Sequence, residues 1–129
     1  MFVAGDNDYP GISFEKAYGR ITIFKTTIAA LGQPPYFRFL LDIEHRKLAI
    51  ECCEYASSGS HQMPDDSSCE NCQIKSMDLV QLLYQTCGWD MDGTYRTKGI
   101  AIPERKMVVF DLDEADKIQD LREQREKNE

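Results

Sequence analysis

The sequence predicts a small α+β protein, on three observations. Short runs rich in β-branched and aromatic residues alternate apolar with polar at Arg20–Phe24, Tyr36–Leu41 and Lys47–Cys53. Leu79, Val80, Leu82, Leu83 and Cys87 recur at helical spacing between Ser76 and Gly88. Two more strand-like runs, Tyr95–Ile102 and Met107–Leu112, flank the turn Pro103-Glu104-Arg105-Lys106. With 129 residues, 42% of them apolar, the chain can build one domain around a small core.

Residues 1–11 carry Gly5, Asp6, Asn7, Asp8, Pro10 and Gly11 and read as a loose lead-in. Ile12–Ala17 fits a short strand that ends at Tyr18-Gly19. Arg20–Phe24 is the second strand, with Ile21 and Ile23 on one face. Thr26 or Thr27 is placed to cap a short helix that runs to Leu31, where Gly32 ends it. Gln33-Pro34-Pro35 cannot continue that helix. Phe37, Phe39 and Leu41 then share a strand face, Asp42–Arg46 fits a hairpin loop, and Lys47–Cys53 returns. Ser57–Ser68 reads as a loop by composition. Ser76 caps the long helix with Asp78 in its first turn, and Gly88 stops it. Asp90–Gly93 is a turn before the second hairpin. In the charged run 113–129, Glu114, Ala115, Ile118 and Leu121 suggest a helix with a thin apolar stripe, or a solvated tail. The parts are thus a module at 12–54, a loop at 55–75, a helix–hairpin at 76–112 and the tail. No exact repeat is visible.

The net charge is −7, which argues against unspecific nucleic-acid binding by the whole molecule. Its spread is uneven. Lys16, Arg20, Lys25, Arg38, Arg46 and Lys47 face only Glu15, Asp42 and Glu44 within residues 15–50, a local +3. Residues 51–129 carry seventeen acidic and nine basic side chains. A basic lobe of this kind can meet a polyanion or can simply be solvated. No apolar run approaches the roughly 18 residues that span a bilayer, and MFVAGDNDYPG lacks the pattern of a secretory signal. A cytoplasmic location without membrane partners is the expectation.

Five cysteines without an export signal read as thiols or metal ligands before disulfides. Cys69-Glu70-Asn71-Cys72 is a CxxC, and Cys52 and Cys53 can complete a zinc set, with His61 as a further donor. Zinc would then staple the Ser57–Ser68 loop across the two halves. The other reading is a cysteine-bearing loop in a reducing compartment. No GxSxG elbow, GxGxxG or P-loop is present, and no catalytic triad can be argued from spacing, so an enzyme is not expected. His45 reads as an exposed turn residue. The Asp90-Met91-Asp92-Gly93 turn lacks the later ligands of a calcium loop, with Ala101 at the place of the closing glutamate. Asp111, Asp113, Glu114 and Asp116 fit a helix start better than a magnesium site. Trp89 fits a core cover, or an anchor for a protein partner.

Gly19-Arg20-Ile21-Thr22-Ile23, the short helix ending Ala30-Leu31-Gly32, the strand Tyr36–Leu41 and the return strand Leu48–Glu51 follow one another within residues 12–51. This order resembles the looped-hinge, swapped-hairpin module of AbrB and SpoVT-type bacterial transcription regulators. The resemblance implies two chains interleaving their hairpins into one barrel, hence an obligate homodimer, and it implies binding to duplex DNA. Arg20, Lys25 and Arg38 are the side chains it would place near phosphates, where an arginine fork can bond two oxygens. The whole chain is also similar to a group of uncharacterised bacterial proteins that add a Trp-containing helix–hairpin ending like Val109-Phe110-Asp111-Leu112. A dimeric DNA-binding regulator is therefore the leading expectation. The alternative is an acidic adaptor that keeps the fold and binds a protein instead.

Overall fold

The computed structural model describes residues 9–63 and 71–118. Nine strands and two α-helices are found there: β1 (Gly11–Glu15), β2 (Arg20–Ile23), α1 (Lys25–Ala30), β3 (Tyr36–Asp42), β4 (Lys47–Cys53), β5 (Ser60–Gln62), β6 (Cys72–Lys75), α2 (Met77–Cys87), β7 (Thr94–Ile102), β8 (Met107–Asp111) and β9 (Asp116–Ile118). The α+β class is as the sequence predicts. All strand pairs are antiparallel. The order across the sheet is β5-β3-β4-β8-β7-β1-β2-β6, with β9 also on β7.

Period-two alternation sends one face of each strand inward. Ile12, Phe14, Ile21, Ile23, Phe37, Leu48, Ile50, Val108 and Phe110 are fully buried, and Val80 and Leu83 of α2 close the same core. Ser76 accepts from the Leu79 N–H and so caps α2, and Gly88 ends it at φ 66°. Trp89 lies within the core aromatics, stacked on Tyr95 at 4.6 Å between centroids and 5.6 Å from Phe14.

The element series strand–strand–helix–hairpin occurs twice, as β1-β2-α1-β3-β4 and β5-β6-α2-β7-β8. The ladders repeat with it. Leu40 faces Ala49, and sixty positions later Ile100 faces Val109. Arg46 and Lys106, which immediately precede β4 and β8, both adopt left-handed backbone, at φ 52° and 55°. Each half pairs with the other: β1 with β7, β3 with β5, β2 with β6 and β4 with β8.

Three expectations need correction. The tail is not helical up to Ile118: Leu112–Glu114 is a 3-10 turn, Ala115 is extended, and β9 pairs Thr94–Arg96. The apolar stripe there is too thin to hold a helix against a strand partner. Residues 119–129 lie outside the described residues. The span 55–75 is not wholly a loop, because β5 gains a stacking site for His61 on Phe37, 5.4 Å between centroids, and β6 buries Cys72 opposite Ile23. Neither threonine caps α1; its N-cap is Phe24. The Thr27 hydroxyl instead donates to the Gly11 carbonyl and accepts from the Gly11 N–H, both at 2.7 Å, fastening α1 to β1. No helix among the described residues is long and apolar enough to cross a membrane.

Candidate functional site

The three basic residues expected near phosphates stand on separate elements. Arg20 on β2 is held by Glu15 at 3.4 Å, and its guanidinium lies 4.9 Å from the Tyr18 ring centre. Arg38 on β3 is paired across the ladder with Glu51 at 2.7 Å. Both cations are therefore neutralised by carboxylates of neighbouring strands. Lys25 differs. It opens α1, is exposed, and its backbone N–H donates to the Asn71 side-chain carbonyl at 2.9 Å.

Lys25 borders an open cleft of about 530 Å³ lined by the start of α1 and by β7. Period-two alternation on β7 buries Tyr95 and Thr97 and turns Arg96 and Lys98 outward into this cleft. Tyr9 and Phe24 supply aromatic walls, and the Lys98 ammonium lies 5.3 Å from the Tyr9 ring centre. Glu114 and Asp116 sit on the rim, so three cations face two carboxylates. Among the described residues no ion pair engages Lys25, Arg96 or Lys98. The Thr26 hydroxyl, also at the cleft, is buried without a hydrogen-bond partner among those residues. Arg96, Lys98 and Tyr9 were not singled out from the sequence. The signal was the outward alternation of Arg96 and Lys98; their meeting with Lys25 is a long-range contact.

The cysteines do not converge among the described residues. Cys52 and Cys53 are adjacent on β4 and so point to opposite faces. The Cys52 thiol donates to the Leu31 carbonyl at 3.3 Å, and Cys72 is buried on β6. Burial pushes the Cys52 and Cys72 thiols up from their ordinary value. Cys69 lies outside the described residues, and among those described no group of three or more His, Cys, Asp or Glu is placed to hold a metal. His61 is occupied with Phe37 and Phe39.

The acidic candidates are spread over separate ion pairs. Asp113 binds Arg46, whose guanidinium holds its carboxyl below the usual range, and Asp111 faces Lys47 at 3.7 Å. Asp90 pairs with Lys117 at 2.8 Å and accepts from the Asp92 N–H, so the Asp90–Gly93 segment is a tied turn. His45 is an exposed turn residue bonded to Asp42. Comparison with protein-family models, curated proteins and solved structures finds no match to this chain.

Proposed function

We propose that this chain is a duplex-DNA-binding regulator of the swapped-hairpin type, in which one chain supplies both halves of the barrel and DNA is held at the cleft of Lys25, Arg96 and Lys98. The observation that carries the reading is the gathering of these three cations without ion-pair partners among the described residues. The cross-pairing of each half's strands with the other's supports the barrel. Arg96 can fork onto two phosphate oxygens, while Lys25 and Lys98 act as point charges beside it. Arg20 and Arg38 contribute less, because each must first leave a carboxylate. No catalytic step is involved.

Fluorescence anisotropy of mixed duplex DNA tests this. Three phosphate contacts imply that raising salt from about 50 to 200 mM weakens binding about 40-fold. The K25A/R96A/K98A variant should lose binding, and R20A/R38A should keep most of it. Absence of binding at low salt, or binding that the triple variant retains, overturns the proposal. A protein-binding adaptor is the second reading, favoured by the exposed apolar side chains Leu40 and Ile100 and by the net charge of −7.

A further inference from the structure

The outer face of the β3-β4-β8-β7 sheet carries a row of apolar side chains across four strands. The ladder places Leu40 beside Ala49, Ala49 beside Val109 and Val109 beside Ile100. Ile100 is 73% exposed and Leu40 37%, while Ala49 is shielded between its neighbours. The two helices contribute to the other side: α2 buries Val80, Leu83 and Tyr84 in the core, and α1 buries Thr27 and Ile28. Charges border the row on both flanks. One ladder step towards the start of β3 lie Arg38 and Glu51, paired with each other, and one step the other way lie Asp42, Lys47 and Asp111, with Lys47 paired to Asp111.

The order of these charges selects an occupant. A second copy, turned half a revolution about the row itself, lays Leu40, Ala49, Val109 and Ile100 on their own counterparts. The same rotation exchanges the flanks. Arg38 of one copy then falls over Asp42 of the other, and Glu51 falls over Lys47. The charges on β3 and β4 then meet their opposites, whereas Asp111 on β8 falls over Met107 and Lys98 on β7 over Ile102; sheets packed face to face at about 10 Å bring such side chains within reach. The balanced face offers no net attraction to a polyanion or a polycation. A two-fold contact of this kind is isologous and closes at two copies.

We infer that this face docks a second copy of the chain, with the two-fold axis along the Leu40–Ala49–Val109–Ile100 row. The inference does not rest on the DNA-binding proposal, and because Lys98 stands beside Ile100 on the same face of β7, docking here covers part of the proposed DNA cleft.

Sedimentation equilibrium of the full chain over about 1 to 300 μM, the range in which small interfaces dissociate, tests it. The expected mass is twice the 14.8 kDa of one chain at the upper concentrations. The L40E/I100E variant puts four carboxylates on the axis at outward positions and should remain at 14.8 kDa throughout. Near-ultraviolet circular dichroism unchanged from the parent shows that its core is intact; should that variant fold poorly, I100K alone replaces it. D42K should weaken the dimer, and R38E added to it should restore part of the lost affinity. A parent that stays monomeric over the whole range overturns the inference. So does a dimer that neither L40E/I100E nor I100K shifts.

Discussion

Replacing Tyr84 by Phe isolates one hydroxyl at the centre of the packing. Tyr84 is 1% exposed. Its oxygen lies 2.9 Å from the Phe14 carbonyl and 2.6 Å from the Gly93 carbonyl, and it accepts from the Lys16 N–H at 3.2 Å. It thereby ties α2 to β1, to the turn after β1 and to the approach to β7. Phenylalanine keeps the edge-on contacts with Trp89 and Tyr95, at 5.2 and 5.6 Å, so the ring packing is unchanged. The loss is the hydroxyl's bonds plus the cost of leaving their partners short, about 2–4 kcal/mol at pH 7. Burial pushes the Tyr84 phenol up from 10.0 to about 12. The folded chain therefore holds this proton more tightly than the unfolded one. The contribution is complete below about pH 10 and is lost as pH rises through about 12, a change of about 3 kcal/mol. Urea unfolding of parent and Y84F, compared at pH 7 and stepwise to pH 11.5, reads both effects. The stability gap should be large at pH 7 and narrow steadily above pH 10. A gap below about 0.5 kcal/mol at pH 7, within ordinary surface-substitution scatter, refutes the bonding account. A gap that stays constant to pH 11.5 refutes the claim that the buried phenol resists ionisation.

Thr27→Val keeps the volume but removes both 2.7 Å bonds to Gly11, and urea unfolding should show a loss of about 1–3 kcal/mol. Gly99→Ala should lower the melting temperature through overpacking worth about 1–3 kcal/mol, because its Cβ would lie 2.6 Å from Phe110 Cε1 and 2.7 Å from Val108 Cγ1. Gly88→Ala is the contrast: its Cβ meets open space, and only the left-handed φ of 66° opposes it, at about 1 kcal/mol.

Local signals made most elements legible. Ser76 and Gly88 bound α2 as their chemistry requires. The Asp42–Arg46 and Pro103–Lys106 turns separate the hairpin strands as composition and alternation indicate. β5 was hidden because Ser60-His61-Gln62 has no apolar alternation of its own; it is held by Phe37 and Phe39 from a strand far away in sequence. β9 was hidden in a charged run for the same reason. Arg20 and Arg38 were chosen by residue type, and only the ladder register reveals that Glu15 and Glu51 stand directly opposite. Arg96 and Lys98 share a strand face in the sequence, but nothing local ties that face to Lys25.

The duplication escaped the sequence because its offset is not constant. The helix has six residues in the first half and eleven in the second, and the stretch from it to Tyr36, or to its counterpart Arg96, is three residues longer in the second, so the hairpins are sixty positions apart while the preceding strands, Arg20–Ile23 and Cys72–Lys75, are only fifty-two apart. What repeats is backbone and apolar pattern, with some charges kept, Arg38 against Lys98 and Glu51 against Asp111, and others changed. Met77 opens α2 where Lys25 opens α1, and Tyr36 stands in the first hairpin where Arg96 stands in the second. Among the described residues the cleft of Lys25, Arg96 and Lys98 occurs once in the chain. Two identical chains interleaved into such a barrel would carry it twice, related by symmetry, and would favour a palindromic DNA site. In the proposed reading, where one chain supplies both halves, the contact is single and asymmetric, so the proposed DNA binding requires no palindrome. Pairing of two chains through the outer sheet face would cover Lys98, beside Ile100 on the same face of β7, so the proposed dimer contact competes with the proposed DNA contact and raising protein concentration should weaken DNA binding.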